Sequence, residues 1–176
     1  MSGKILAMIV LVSAAIAGGA LYYFQIYGYY YDVAAQPGRD VMLLPQDAEA
    51  PEPITYSEFR AIDADSSPIR YRACFETEAA PEALAATYMP AEAPEPLTAP
   101  GWFDCFDAVA LADDLAAGRA RAFIGQKNVH FGVDRIVAVT ADGRGYAWNA
   151  LNNCGRKTYD GTQVGEDCPP RPTAGQ

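Results

Sequence analysis

The chain has 176 residues with a net charge of −9, and 51% of them are hydrophobic against 20% charged. That length accommodates one compact domain beyond any targeting segment, and not two. All 22 acidic residues and every basic residue except Lys4 follow position 31, so the bulk of the chain is acidic. Nucleic acid and anionic lipid surfaces would repel it, whereas a basic protein partner would be steered towards it. The same acidity also serves solubility.

After Lys4 comes an apolar run, Ile5 to Phe24, interrupted only by Ser13. About 20 residues at ~1.5 Å each match the ~30 Å hydrocarbon core of a bilayer. A cleaved signal peptide is the rival reading, because Ala15-Ile16-Ala17 and Gly18-Gly19-Ala20 offer small-residue sites. Against cleavage, the run continues through Leu21, Tyr22, Tyr23 and Phe24, and its basic n-region is thin. Tyr27, Tyr29, Tyr30 and Tyr31 then form an aromatic belt of the kind found at headgroup level. Residues 1–31 are therefore expected to be a retained transmembrane anchor. With Lys4 before the span and no further cation until Arg39, the N-terminus belongs in the cytoplasm and the bulk in the periplasm, on the inner (cytoplasmic) membrane. The Gly18-Gly19 pair makes no G-x-x-x-G and reads as ordinary small residues in a span.

Residues 32–55 read as a stalk rich in Ala, Pro and acids, with Val41-Met42-Leu43-Leu44 as a docking strand inside it. The domain is expected over 56–176. Tyr56–Asp63 and Ile69–Thr77 read as strands joined by Ala64-Asp65-Ser66-Ser67-Pro68. In the second strand Ile69, Tyr71, Ala73 and Phe75 share one face, and Arg70, Arg72, Cys74 and Glu76 the other. Cys74 thus falls on a polar face, which suits a disulfide only where something covers that face. Pro81–Tyr88 is a short helix with Pro81 in its first turn. Met89–Gly101, carrying Pro90, Pro94, Pro96 and Pro100, is an extended crossing no helix can occupy. A helix is expected over Trp102–Ala117, stopped by Gly118, with Trp102, Cys105, Phe106, Val109, Ala112 and Ala116 to one side and Asp104 and Asp107 opposite.

A strand over Arg119–Gln126 precedes the strongest local signal, Asp142-Gly143 between Arg135–Ala141 and Arg144–Leu151. Read as a two-residue type I′ turn, it sets Val139 opposite Tyr146 and Val137 opposite Trp148, all four on one face. From Cys154 the chain is loop-like and ends through Pro169-Pro170-Arg171-Pro172. The whole reads as an α+β protein: an N-terminal transmembrane helix, then an antiparallel sheet of four or five strands with one or two helices on one face.

The four cysteines, Cys74, Cys105, Cys154 and Cys168, all follow the span, and in an oxidising compartment an even count defaults to two disulfides. Of three connectivities, Cys74–Cys105 with Cys154–Cys168 is favoured because both bridges are local. A four-thiolate zinc site lacks any C-x-x-C knuckle, and haem attachment lacks C-x-x-C-H.

Little else carries chemistry. The single histidine, His130, has no nucleophile motif beside it and cannot build a His-rich metal site. G-x-S-x-G, H-E-x-x-H and the P-loop are missing, and Gly143-Arg144-Gly145 is a turn. The acid pairs Asp113-Asp114 and Glu166-Asp167 read as solvated surface rather than glycosidase carboxylates. Arg70, Arg72, Arg119 and Arg121 read as ion-pair partners of an acidic domain before they read as an anion site. No catalytic residue, cofactor or metal ligand is assigned. The four prolines of the crossing are the candidate interaction residues, because extended Pro-rich chain loses little entropy on docking.

Leu115-Ala116-Ala117-Gly118-Arg119-Ala120, Phe131-Gly132-Val133-Asp134-Arg135 and Asp142-Gly143-Arg144-Gly145-Tyr146-Ala147-Trp148 resemble a family of small, uncharacterised alphaproteobacterial proteins with one N-terminal anchor and a domain of this size. The resemblance implies no catalytic residues. A histidine-kinase reading, which such families attract, is contradicted by the residues: there is no helical phosphoacceptor histidine and no Gly-rich ATP lid. The expected function is a non-enzymatic, membrane-tethered periplasmic binding or accessory module, as for an assembly or supernumerary subunit of an envelope complex such as a respiratory one. A small-ligand or signal-sensing domain and a small periplasmic enzyme are the alternatives.

Overall fold

The computed structural model describes residues 2–166 and 168–170. Helix α1 (Gly3–Tyr23) runs into a π-helical turn, Phe24–Gly28, and neither has a buried residue. Gly3–Gly28 is the one helix among the described residues long and apolar enough to cross a membrane, with mean hydropathy 2.3. A helix that is apolar all round and packs against nothing requires an apolar surround.

The chain leaves this turn directly into a sheet. Strands β1 (Tyr31–Asp32), β4 (Ser57–Asp63), β5 (Arg72–Glu76), β6 (Ala120–His130), β7 (Val133–Thr140) and β8 (Arg144–Leu151) form one antiparallel sheet in the order β1-β4-β5-β8-β7-β6. A second, two-stranded ribbon pairs β2 (Met42–Leu43) with β3 (Glu52–Pro53). The helices α2 (Pro81–Thr87) and α3 (Ala108–Ala116) complete the domain. Fold class and the two cysteine pairings are as read from the sequence: Cys74 joins Cys105 with Cα atoms 6.2 Å apart, and Cys154 joins Cys168 at 4.9 Å.

The main sheet has six strands where four or five were expected, because β1 extends one edge beside β4, and four further features differ. First, residues 33–55 are no stalk. Val33 donates its N–H to Ala61 O at 2.8 Å, and Val41, Leu43, Leu44 and Ile54 are buried. Second, the helices lie on opposite faces. One core gathers Val41, Leu43, Tyr71, Phe75, Leu84 and Phe123 beneath the β2–β3 ribbon and α2; the other gathers Cys74, Phe103, Phe106, Leu111, Tyr146 and Trp148 beneath α3. Both faces of β5 are therefore dry, which removes the difficulty of Cys74: its "polar" face is the second core.

Third, α3 starts at Ala108 rather than Trp102. Asp107 is its N-cap, its carboxylate accepting from the N–H groups of Val109 and Ala110 at 3.0 Å each. Such a cap satisfies two of the otherwise orphan N–H groups of the first turn. The Gly118 stop is as expected, at φ 71°.

Fourth, the hairpin register is one residue off the two-residue reading. Val139 lies opposite Gly145, Ala138 opposite Tyr146, Val137 opposite Ala147 and Ile136 opposite Trp148. The loop holds three residues, with Gly143 N–H donating to Thr140 O at 3.0 Å and Gly143 at φ 85°. Thr140 closes it: its hydroxyl donates to the Asp142 carboxylate while accepting from Arg144 N–H at 3.1 Å. A one-residue shift sends alternate side chains to the other face, so the valines fill one core and Tyr146 and Trp148 the other. Asp167 of one acid pair and residues 171–176 of the tail lie outside the described residues.

Candidate functional site: the anchor junction and the proline strap

The last carbonyls of a helix have no intrahelical partner. Here the domain supplies two. Arg70 Nη1 donates to Gln25 O at 3.2 Å and Nη2 to Gln25 Oε1 at 3.0 Å, while Trp102 Nε1 donates to Ile26 O at 2.7 Å. A cation at this end also complements the helix dipole. The belt tyrosines close around the pair. Tyr27 stacks on Trp102 with ring centres 6.4 Å apart, Tyr30 meets it edge-on at 5.9 Å, and the Arg70 guanidinium lies 5.3 Å from the Tyr30 ring centre. With β1 entering the sheet three residues after the π-helical turn, the domain is seated on the end of the apolar helix rather than hung from it.

The proline crossing is fastened at both ends. At its start, Met89 N–H donates to Leu44 O at 2.8 Å, Ala91 N–H to Ala122 O at 2.9 Å, and Ile124 N–H to Met89 O at 2.9 Å, so the segment covers the outer edge of β6. An exposed edge would otherwise invite pairing with another chain. At its far end Arg72 holds it. Arg72 is only 5% exposed and donates to four carbonyls: Ile69 O at 2.8 Å, Tyr71 O at 2.7 Å, Leu97 O at 2.7 Å and Thr98 O at 3.1 Å. Its guanidinium also lies 5.8 Å from the Phe106 ring centre. Burial pulls its pKa down to about 10.

Between these fastenings runs a strap. Pro90 is exposed, Pro94 and Pro96 are half-buried, and Pro100 is buried, so it presents no surface. A hollow of about 460 Å³ lies on the α3 side of the strap, lined by Pro90, Pro94, Pro96, Leu115, Ala116 and Phe123 among others. A second, of about 670 Å³, lies on its other side. A third cleft, about 840 Å³, opens at the β7–β8 hairpin around Tyr56, Glu76, Glu78 and Arg144.

The other candidates are dispersed. His130 is exposed at the end of β6. Arg119 pairs with Asp114 at 2.8 Å and Arg121 with Glu82 at 3.9 Å, whereas Arg70 and Arg72 serve carbonyls instead of the expected carboxylates. Tyr146 and Trp148 are core residues against Phe106, at 5.8 and 6.3 Å between ring centres. Among the described residues no three His, Cys, Asp or Glu side chains converge as a metal site. A buried polar cluster went unread in the sequence. Arg135 lies 3.4 Å from the Tyr71 ring centre and donates to Asn149 Oδ1 at 2.6 Å, and Asn149 Nδ2 donates to Pro68 O at 2.7 Å. Burial pushes the Tyr71 phenol up to about 12.

Fold and junction together define a class: a single α+β domain, stapled by two disulfides and seated on an apolar N-terminal helix. The chain belongs to DUF6446, a family of unknown function whose model matches residues 41–169. That stretch takes in both disulfides, both covering layers and the strap, and stops short of the apolar helix. No curated protein and no solved structure matches the chain.

Proposed function

We propose that this is a non-enzymatic, membrane-tethered accessory module that docks on a basic surface of another envelope protein. The observation that carries the reading is the seated junction: Arg70 and Trp102 fix the domain on the last turn of its anchor, so the strap is held in one orientation relative to that helix. A freely swinging catalytic or scavenging domain needs no such clamp. Two features support the kind of partner. The strap offers Pro90, Pro94 and Pro96 over an apolar hollow whose lining carries Glu95 and an Arg121 already paired with Glu82 at 3.9 Å, and Glu92 is a further exposed carboxylate on the strap. An acidic rim around an apolar centre steers and selects a basic counterpart.

By the charge asymmetry around the helix, the N-terminus lies in the cytoplasm and the domain in the periplasm at the inner membrane. A respiratory complex is one host of suitable character. Gentle solubilisation of native membranes followed by native electrophoresis tests the reading. The module is expected to migrate with a larger complex, and migration solely as a monomer under all growth conditions refutes it.

A further inference from the structure

The 670 Å³ hollow on the far side of the strap shares Pro90, Pro94 and Glu95 with the docking hollow and has the make-up of a ligand site of its own. Its volume falls within the ~300–1,000 Å³ typical of small-molecule pockets, and such pockets pair an apolar lining with a few polar groups. The floor is sheet, formed by Ile124, Ile136 and Ala150 from three neighbouring strands and Leu151 beside them; Ile69 and Leu97 form walls. Ile69 immediately precedes Arg70, which bonds the end of the apolar helix. The hollow therefore lies at the end of the domain where that helix enters.

Its rim is charged and unbalanced. The lining includes one cation, Lys127, already paired with Glu166 at 2.9 Å. Asp134, 8% exposed, accepts at Oδ1 from Asn128 N–H at 2.8 Å and Asn152 Nδ2 at 2.7 Å, which holds its carboxylate in place. Glu92 and Glu95 project from the strap side. Three carboxylates are thus left without a cation.

We propose that this hollow binds a single-chain cationic amphiphile drawn from the adjoining bilayer. The alkyl chain covers Ile124, Ile136 and Ala150, and the ammonium head lies among Asp134, Glu92 and Glu95. Methylenes removed from water gain free energy against an apolar floor of this kind. An anionic head would meet like charge at the rim, and an uncharged one would leave it unneutralised.

The test uses the full chain in phosphatidylcholine nanodiscs and dodecylammonium bearing a terminal diazirine. Illumination and peptide mapping are expected to place adducts on the segments carrying Ile124, Ile136 and Ala150. Unlabelled dodecylammonium should compete at least tenfold better than dodecanoate or dodecanol. Ala150→Phe, or Ala91→Phe on the strap wall should the first fail to fold, is expected to reduce labelling at least tenfold. Adducts confined to Gly3–Gly28, equal competition by all three heads, or labelling unchanged in a folded plugged variant would each overturn the proposal. No partner protein is present, so the result is independent of the docking described above.

Discussion

Arg72 concentrates the physical argument at the scale of single residues. A buried guanidinium with no bonded carboxylate is tolerable only because four carbonyls surround it. Arg72→Met would strip donors from buried acceptors at roughly 1–3 kcal/mol for each one left unsatisfied. We expect a loss of about 3 kcal/mol or more in urea unfolding, with Arg72→Lys retaining part of it because an ammonium cannot reproduce the planar fork. Backbone exchange at Leu97 and Thr98 should rise in both variants. Tyr71 gives a pH prediction. Its folded pKa, about 12, lies above the ordinary 10 because burial disfavours the phenolate. The stabilisation is fully present below pH 10 and is lost as pH rises through 12. Relative to Tyr71→Phe, the wild-type advantage should be flat up to pH 10 and then shrink by about 3 kcal/mol towards pH 12, read from urea midpoints of both proteins. Titration of Arg72 is common to both proteins and drops out of the difference, whereas Arg135, which faces the phenol, titrates together with Tyr71 and belongs to the measured effect.

Among elements, the β7–β8 hairpin and the anchor junction make the sharpest claims. A Cβ at Gly145 would lie 2.0 Å from the Phe75 ring, whose side chain is 2% exposed and has nowhere to go. Gly145→Ala should therefore cost about 1–3 kcal/mol by overpacking, seen as a lower thermal midpoint. At the junction, Arg70→Ala with Trp102→Ala should leave the domain's unfolding midpoint almost unchanged while the amides of Gln25–Tyr30 exchange faster. A large loss of domain stability there would show that the clamp is part of the core. The Cys74–Cys105 bridge closes a loop of sequence separation 31 and ties β5 to the segment before α3. Replacing both cysteines by alanine should cost about 3–4 kcal/mol on the unfolded-state model of loop closure.

The same elements show what was legible in the sequence. Asp142-Gly143 marked the hairpin, and Gly118 and Pro81 marked helix ends, because turn and cap chemistry is local. The register was not legible. Asp-Gly also serves three-residue loops, and the choice was made by Thr140, whose hydroxyl bonds across the loop. Alternation in β5 separated its two faces correctly but took one for wet. Nothing local announces that α3 and the segment before it would cover Cys74 and Arg72. The buried Val41 to Leu44 stretch was visible as an apolar patch, yet its acidic, proline-rich flanks disguised a covering layer as a stalk. Of the candidate site, the strap prolines could be read directly, with Pro100 the exception. The clamp of Arg70 and Trp102 on Gln25 and Ile26 joins residues 45 and 76 positions apart and left no sequence signal.

Taken whole, the molecule is a sheet with both faces dry, its outer edge closed by a proline strap and its other edge continuous with an apolar helix. That continuity turns a tethered domain into a fixed one. The clamp sets how the strap and α3 are turned relative to the apolar helix, while the 840 Å³ cleft opens at the β7–β8 hairpin. The account rests on that strap being the docking face for a basic partner. The direct measurement is site-specific photocross-linking in native membranes, with the photoreactive residue placed at Glu95 on the strap and, as a control, at Thr55 in the far cleft. The account predicts a discrete adduct from position 95 with one basic envelope protein, weakened by raised salt, and none from position 55. Adducts of equal yield from both positions, or none from position 95 in intact membranes, would contradict it.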